Sequence, residues 1–281
     1  MIVWLTGGSS GLGLHTAMAL RDAGHTVITG ARSFTGETRK DGLIMLPLDV
    51  ADDQSVEAFA ARALEISPRV DAVVHCAGIL VLGSCEETSL EEYRRVMDTD
   101  FLGMVRINHQ ALPVMRKQGE GRIVMFSSIN GLLGIPFQSA YTAAKHAVEG
   151  YAECLQMEVQ SFGIQVCLVE PGDHRSGSQR CRHRASGRGE DSPYAKDYAM
   201  AVSVIRHDEA NGSDPDQLGR KVAKALARKH IPIRLRIASP DQHLAVWLHD
   251  LLPPGLNAAI LRSYYLNEKK SEQYRAEEEQ A

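Results

Sequence analysis

Several features are missing from this 281-residue sequence, and each absence excludes a class of protein. No window approaches the ~20 consecutive apolar residues that a membrane-spanning helix needs. The first residues enter an apolar run without the basic stretch that opens a signal peptide, so we expect a cytoplasmic protein. No internal repeat is visible, which argues against a repeat architecture.

Paired cysteines and an excess of positive charge are also missing. The five cysteines form no C-x-x-C pair and are odd in number, so they indicate neither a disulfide framework nor a zinc site, and we expect no metal. The net charge of −4 argues against non-specific nucleic-acid binding. Hydrophobic residues make up 44% and charged residues 23%, which is typical of a globular chain with a substantial core.

What is present is an alternation of short β-rich runs with helical patterns. The strands are predicted at residues 2–5, 26–29, 43–47, 72–75, 122–126 and 165–169, with a further edge strand at 234–237. Helices are predicted between them, for example at 52–67, and Ser89 with Glu92 forms a capping-box pattern that opens another. This alternation predicts an α/β fold, a doubly wound parallel sheet between two helical layers.

The domain organisation follows from composition. Residues 1–266 are predicted to form a single domain, and the polar segment 174–217 is predicted to be a substrate lid, because loops of that length are usually lids or disordered. Residues 267–281 are nearly all charged or polar, and we expect a solvated tail or a frayed helix there.

A glycine-rich segment joins the first predicted strand to the first predicted helix. It reads Thr6-Gly7-Gly8-Ser9-Ser10-Gly11-Leu12-Gly13. Glycines at such a junction let the backbone approach a pyrophosphate, and the helix N-terminus supplies free N–H groups. The alternative is a tight turn that needs glycine only for positive φ. The position within a βαβ series favours dinucleotide binding.

The second predicted strand is followed by Arg32 and lacks the acidic residue that binds a ribose 2′-hydroxyl. A guanidinium there can hold a 2′-phosphate, so we expect NADP(H) to be favoured over NAD(H). The alternative is a solvent-exposed arginine without a ligand.

Three residues carry the strongest chemical signal. Tyr141 and Lys145 stand four positions apart, and Ser128 lies thirteen positions before the tyrosine. On a helix beginning near Ser139, such a spacing places an ammonium beside a phenol, where it stabilises the phenolate. A free tyrosine with a pKa near ~10 is a poor acid or base at neutral pH and needs that help.

Together these segments resemble the short-chain dehydrogenase/reductase family over roughly residues 2–176. The features shared with the family are the loop at 6–13, Asp49-Val50, Ala77-Gly78, Ser128, Tyr141 with Lys145, and Pro171-Gly172. The resemblance implies a Rossmann-type fold and an oxidoreductase that transfers a hydride between a nicotinamide cofactor and a small-molecule secondary alcohol or ketone.

The resemblance also implies roles for individual residues. Tyr141 would be the acid/base, Ser128 would orient the substrate oxygen, and Lys145 would bind the nicotinamide ribose and lower the tyrosine pKa. Ser176 stands where the family has a threonine that touches the carboxamide. The positions expected to contact the cofactor are Thr6, Gly7, Ser9, Ser10, Gly11, Leu12, Gly13, Arg32, Asp49, Val50, Cys76, Ala77, Gly78, Tyr141, Lys145, Pro171, Gly172 and Ser176.

Two positions depart from the family pattern. Cys76 replaces an asparagine, and a thiol cannot make the same hydrogen bonds as an amide. Asp100 stands where a helix asparagine supports a proton relay behind the lysine. Either Asp100 takes part in a reorganised relay, which makes it a candidate catalytic residue, or it only accepts backbone N–H bonds. His75 is interpreted as structural.

The substrate is left open by conflicting signals. The lid carries five arginines at positions 175, 180, 182, 184 and 188, which indicate either a solvated loop or an anionic substrate. Leu132, Leu133, Ile135, Pro136 and Phe137 suggest an apolar floor for a steroid-like or lipid-like alcohol instead. Rival functions are an NAD-dependent dehydrogenase of the same fold and a non-catalytic dinucleotide sensor.

The family implies a homodimer or homotetramer paired through the helices that carry Asp100 and Tyr141. Apolar residues on these helices suit either that interface or contact with the sheet, and periodicity does not separate the two uses. They are Met104, Ile107, Leu112, Tyr151, Leu155 and Val159.

Overall fold

The computed structural model describes residues 1–177, 182–187, 189 and 191–280, the side chains of 278–280 excepted. Its strands are β1 (Ile2–Thr6), β2 (Thr26–Ala31), β3 (Thr38–Lys40), β4 (Leu43–Pro47), β5 (Ala72–His75), β6 (Leu80–Leu82), β7 (Gly121–Phe126), β8 (Ile164–Pro171), β9 (Arg182–Arg184) and β10 (Arg234–Ile237). Its helices are α1 (Gly11–Asp22), α2 (Asp53–Ile66), α3 (Leu90–Met97), α4 (Gly103–Gln118), α5 (Ser139–Val159), α6 (Ala195–Ala210), α7 (Pro215–Leu226), α8 (Pro240–Leu251), α9 (Pro254–Tyr265) and α10 (Glu268–Gln280).

The main sheet of the described chain has eight strands in the order β10-β8-β7-β5-β1-β2-β4-β3. All neighbouring strands are parallel except β3 and β4. The chain order reverses direction between β1 and β5, which makes the crevice at their carboxyl ends the topological switch point where ligands bind in such sheets. The predicted doubly wound α/β fold is confirmed.

Alternate residues of each central strand enter two separate cores. Trp4 and Ile28 pack with the buried sides of α2, α4 and α5 on one face of the sheet. Val3, Leu5 and Val27 pack with α1 and α7 on the other face. Both faces are therefore covered, which explains why these strands are apolar at nearly every position rather than at every second one.

Local signals set several helix boundaries as predicted. The Asp52 side chain accepts hydrogen bonds from the first turn of α2, and Ser89 with Glu92 forms a capping box on α3. Helix α5 begins at Ser139 and carries both Tyr141 and Lys145.

Two predictions about the C-terminal third need correction. Segment 174–217 contains the 16-residue helix α6, whose residues 200–205 are all buried, so it is more than a loop. Residues 268–280 form α10, which packs on α6 where Ser271, only 2% exposed, bonds to Ser203. That segment is therefore no free tail. The domain limits themselves stay a prediction.

No described helix is long and apolar enough to cross a membrane. The apolar residues of α4 and α5 are used inside the chain, since Met104, Ile107, Leu155 and Val159 are buried in the core on one face of the sheet. Leu112 and Tyr151 are partly buried against the same core.

The edge strand β10 is fastened by a buried carboxylate. Glu170 of β8 is fully buried and accepts hydrogen bonds of 2.7 Å from Arg234 Nη1 and Arg236 Nε. Arg234 also pairs with the exposed Glu153 at 2.7 Å. Removal of one partner of a buried charge pair leaves the other without compensation, whereas an exposed pair contributes little.

Replacing Glu170 with Ala should therefore lower the free energy of unfolding by about 3 kcal/mol, because Arg236 loses its buried partner and Arg234 keeps only Glu149 and Glu153 among the described residues. Glu153→Ala is the matched control, since it removes an exposed carboxylate from the same Arg234 and should cost below about 1 kcal/mol. Urea denaturation measures both. Equal losses in the two variants would contradict the role given to Glu170.

Candidate active site

A cavity of about 430 Å³ lies at the carboxyl ends of the central strands. Its walls come from the loop after β1, the ends of β2, β5 and β7, helix α5, and the segment after β8. The volume lies within the usual range of small-molecule and cofactor sites, and the position is the switch point described above.

The glycine loop forms one end of this cavity and is shaped by close backbone contacts. Gly7 has φ of 77°, and a Cβ there would lie 2.6 Å from the Ala77 nitrogen. A Cβ on Gly13 would lie 2.2 Å from the Gly7 carbonyl oxygen. Thr6 is buried behind the loop, where its hydroxyl accepts a hydrogen bond of 3.3 Å from the Ala77 N–H. Only glycine fits both positions, so the loop follows the surface of the sheet closely.

The N-terminus of α1 is open for an anion. Its N-cap Ser10 makes no side-chain capping bond, and no acidic residue lies in the first turn. Ser10 and Gly11 both line the cavity. The first N–H groups of the helix and the positive end of its dipole therefore point to a place for a diphosphate. These residues fit a dinucleotide.

Arg32 lies directly after β2 and lines the cavity with an exposed side chain. Among the described residues no carboxylate or other acceptor bonds to its guanidinium. Asp49 lies on the same wall, and its Oδ1 accepts a hydrogen bond of 3.0 Å from the Ala51 N–H. The guanidinium is thus available to an external phosphate.

Ser128, Tyr141 and Lys145 meet at the other end of the cavity. Ser128 follows β7, its Oγ accepts from the Asn130 N–H at 3.1 Å, and its influence lowers the pKa of the Tyr141 phenol. The Lys145 Nζ lies 5.2 Å from the centre of the tyrosine ring and donates to the Phe126 carbonyl at 3.0 Å. The three side chains that the sequence singled out therefore form one cluster.

In this cluster, burial and the neighbouring charges have opposing effects on the pKa values. Burial raises the pKa of Tyr141 above its ordinary value, although the Lys145 ammonium and the Ser128 hydroxyl lower it. Burial lowers the pKa of Lys145, but the charges of Tyr141 and Asp100 outweigh this and hold it above the ordinary value. Lys145 is therefore an ammonium at neutral pH, and it counteracts the cost of forming a phenolate.

Asp100 is fully buried behind the lysine. It lies in a π-helical turn between α3 and α4, a type of distortion that is frequent at functional sites. Its Oδ1 accepts from the Ile79 N–H at 2.8 Å, and its Oδ2 lies 3.4 Å from Lys145 Nζ. Burial raises the pKa of Asp100, while the Lys145 charge lowers it. The geometry thus shows the backbone acceptor role and places the second oxygen beside the lysine, while a part in a proton relay stays a prediction.

His75 lies outside this cluster. It is fully buried, its Nε2 lies 2.9 Å from Asn108 Oδ1, and burial lowers its pKa to about 4. The imidazole is thus neutral and held within the fold, as expected of a structural histidine. Cys76, the next residue, lines the cavity, and burial raises the pKa of its thiol, so it is not an activated nucleophile.

The apolar floor differs from the prediction. Only Ile135 of the five residues lines the cavity, while Leu133 is buried against Val246 of α8. Phe137 has φ of 63° and packs its ring edge-on against Tyr198 of α6 at 5.5 Å. Strain of that kind in a non-glycine residue is common near functional sites.

The structure brings nearly all residues of the sequence prediction to the cavity wall. Thr6 is the exception, for it lies behind the loop. The others at the wall are Gly7, Ser9, Ser10, Gly11, Leu12, Gly13, Arg32, Asp49, Val50, Cys76, Ala77, Gly78, Asp100, Ser128, Tyr141, Lys145, Pro171, Gly172 and Ser176.

Sequence reasoning missed several lining residues. Asn130 could have been noticed, since an amide two positions after Ser128 can reach its hydroxyl. Asp208 and Glu209 come from α6 and Tyr265 from the end of α9, and no local pattern indicates that these helices reach the cavity.

The comparisons with known proteins agree with this geometry. Residues 1–185 match the model of the short chain dehydrogenase family. The chain belongs to this family. It is therefore an oxidoreductase that acts on CH–OH groups, and the resemblance found in the sequence is confirmed.

Two curated relatives are similar over most of their length. The chain is 36% identical over 264 residues to a 3-ketodihydrosphingosine reductase of Bacteroides thetaiotaomicron, which covers 94% of this chain and 97% of the relative. It is 30% identical over 284 residues to dehydrogenase/reductase SDR family member 7B of Bos taurus, which covers 96% of this chain and 83% of the relative.

Solved structures show the same fold. A short-chain dehydrogenase from Streptomyces avermitilis has a TM-score of 0.79 and 30% identity, with 93% of this chain and 96% of that chain covered. A short chain dehydrogenase/reductase from Burkholderia phymatum, solved with NAD, has a TM-score of 0.74 and 23% identity, with 88% and 92% covered. An alcohol dehydrogenase from Thermococcus sibiricus, complexed with 5-hydroxy-NADP, has a TM-score of 0.67 and 23% identity, with 85% and 96% covered.

Proposed function

We propose that this protein is an NADP(H)-dependent oxidoreductase that transfers a hydride between the nicotinamide and a secondary alcohol or ketone, with Tyr141 as the acid/base. One observation carries the proposal. The Tyr141 phenol shares one cavity with Ser128 and the open glycine loop and lies beside the Lys145 ammonium.

The bound cofactor would supply or accept the hydride. In ketone reduction the Ser128 hydroxyl donates to the substrate oxygen, on which negative charge develops, and the Tyr141 phenol gives that oxygen its proton. Lys145 stabilises the phenolate that remains. In alcohol oxidation the same phenolate accepts the hydroxyl proton.

The choice of NADP(H) over NAD(H) rests on Arg32. A guanidinium with five donors and no partner among the described residues suits a 2′-phosphate, whereas a carboxylate is what a ribose 2′-hydroxyl requires. The glycine loop and the open N-terminus of α1 would hold the diphosphate, and Ser176 at the cavity wall would face the nicotinamide end.

The proposed substrate class is a hydrophobic secondary alcohol or its ketone. Ile79, Leu80, Ile135 and Ile205 supply apolar surface beside the catalytic cluster. The Bacteroides relative is named a 3-ketodihydrosphingosine reductase, which supports the reductive direction. A cytoplasmic location and a homodimer or homotetramer remain proposals from the sequence.

Two rival functions make different predictions. An NAD-dependent dehydrogenase would bind NAD(H) more tightly than NADP(H). A non-catalytic dinucleotide sensor would bind cofactor but reduce no ketone, and the assembled Ser128, Tyr141 and Lys145 argue against it.

Replacing Tyr141 with Phe should lower kcat for ketone reduction by at least about 100-fold, because general acid catalysis contributes ~10²–10⁴-fold and the phenol proton is lost. The Kd for NADPH should stay nearly unchanged. NADPH oxidation at 340 nm and calorimetry measure the two quantities. Turnover like that of the wild type would refute the role of Tyr141.

Replacing Arg32 with Ser should raise the Kd for NADPH by about 10-fold or more, because one charged hydrogen-bonding partner of the 2′-phosphate is lost. The Kd for NADH should change little. Arg39→Ser on β3 is the matched control, since this arginine is also exposed but does not line the cavity. Tighter binding of NADH than of NADPH by the wild-type protein would contradict the proposed preference for NADP(H).

Replacing Asp100 with Asn should change the pH dependence of alcohol oxidation. The negative charge of Asp100 raises the pKa of Tyr141, so its removal lowers that pKa and the phenolate forms at lower pH. The rise of kcat with pH should therefore begin at lower pH. Asp98→Asn is the control, because Asp98 lies on the same turn but is 39% exposed and pairs with Arg106. An unchanged profile would show that the Asp100 carboxylate has no special part in proton transfer.

A further inference from the structure

The arginines in the basic run of the predicted lid have different environments in the structure. Arg175 is exposed, and Arg184 is exposed with its guanidinium 5.8 Å from the ring centre of Tyr198. Arg182 alone among the described arginines of the run lines the cavity, and Arg180 and Arg188 lie outside the described residues. One member of a run that resembled a solvated loop is thus part of the site.

Arg182 is held in the wall by secondary structure. It is the first residue of β9, which pairs in parallel with β6, and its direct neighbour there is Leu80, another residue of the cavity wall. Its side chain is only 8% exposed. A long cationic side chain is rarely buried to this extent unless it has partners.

The partners of Arg182 satisfy only part of its guanidinium. The Nη2 group forms an ion pair with Glu209 of α6, which fixes the direction of the side chain. The Nε–H group is buried and has no hydrogen-bond acceptor among the described residues. A buried donor without an acceptor is costly, so this group is a candidate for a bond to a ligand.

The surrounding charge restricts the kind of ligand. Glu209, Asp173 and Asp208 line the cavity together with Arg182, so three carboxyl groups accompany this guanidinium. Asp173 has its pKa raised to about 6 by burial and by the charge of Asp208. A carboxylate or phosphate on the substrate would be repelled here. A neutral oxygen, in a hydroxyl or carbonyl group, accepts from the Nε–H without that penalty.

Arg182 lies in the same cavity as the catalytic cluster of Ser128, Tyr141 and Lys145. The charge of Arg182 acts on the Tyr141 phenol and lowers its pKa, although burial is the larger influence and raises it. Both side chains face one cavity. An oxygen bound to Arg182 would therefore lie in the same cavity as the carbon that is reduced.

We propose that Arg182 is a specificity-determining residue that donates a hydrogen bond from Nε to a second, neutral oxygen of the substrate, in the same cavity as the reacting carbonyl. The substrate class is then a hydroxy ketone or diketone, or the diol formed from it, rather than a simple ketone or a keto acid. This inference rests on the proposed function, because it concerns the substrate of the same site.

The test compares three ketones in the full-length protein with NADPH. They are octan-2-one and the same ketone with a hydroxyl group on carbon 1 or on carbon 4. The wild type should have a higher kcat/KM for at least one hydroxy ketone than for octan-2-one. Arg182→Met should lower kcat/KM for that hydroxy ketone by about 10–100-fold, the usual effect of a hydrogen bond to a charged group, and change octan-2-one less than about 3-fold.

Two further variants serve as controls for the effect of Arg182→Met. Arg184→Met removes an arginine from the same strand that does not line the cavity, and it should leave the preference between the ketones intact. Arg182→Lys keeps a cation for Glu209 but has no donor at Nε, so it should also lose the preference, even if Arg182→Met folds poorly. The Kd for NADPH should stay unchanged in each folded variant.

The possible results separate the two proposals. Wild-type reduction of all three ketones, with equal losses in Arg182→Met or with none, would overturn the role of Arg182 and leave the proposed function standing. Absence of turnover of every ketone by the wild type would count against the proposed function itself.

Discussion

The buried contact between Lys145 and Asp100 is the constraint on which the site depends. An ammonium that is 4% exposed needs compensation, and it finds a carboxylate at 3.4 Å and a carbonyl at 3.0 Å. These partners come from the π-helical turn before α4 and from the end of β7, while Lys145 itself lies on α5. The ion pair therefore ties together three elements, and it holds the lysine beside the phenol of Tyr141. The residue that departs from the family pattern is thus central to the arrangement.

The shape of the cofactor end depends on close packing. The glycine loop can lie against the end of β5 because Gly7 has no side chain. A Cβ at this position would collide with the Ala77 backbone. A loop held that close to the sheet keeps the first turn of α1 open to the cavity. The two ends of the cavity are thus built by different means, packing at one and a buried ion pair at the other, and the parallel sheet sets the distance between them.

Much of the fold was readable because its signals are local. Strands β4, β5 and β10 begin and end at the predicted residues, and the capping box at Ser89 forms as expected. Helices α6 and α10 were not readable in this way. Helix α6 has no clear amphipathic period, because residues 200–205 are buried on several sides, and α10 docks through Ser271, a residue that does not look like core. Strands β6 and β9 have three residues each, too few for a period to show.

The sequence by itself determined the fold class, the family and the positions of Ser128, Tyr141 and Lys145, because each depends on spacing along one strand, turn or helix. The tertiary structure alone decided which charges face those residues. Asp173 reaches the cavity from the end of β8, whereas Asp208, Glu209 and Arg182 reach it only because α6 and β9 fold back over it. Burial and opposing charge are properties of the folded cavity, so the pKa values and the choice of substrate could not be read from spacing.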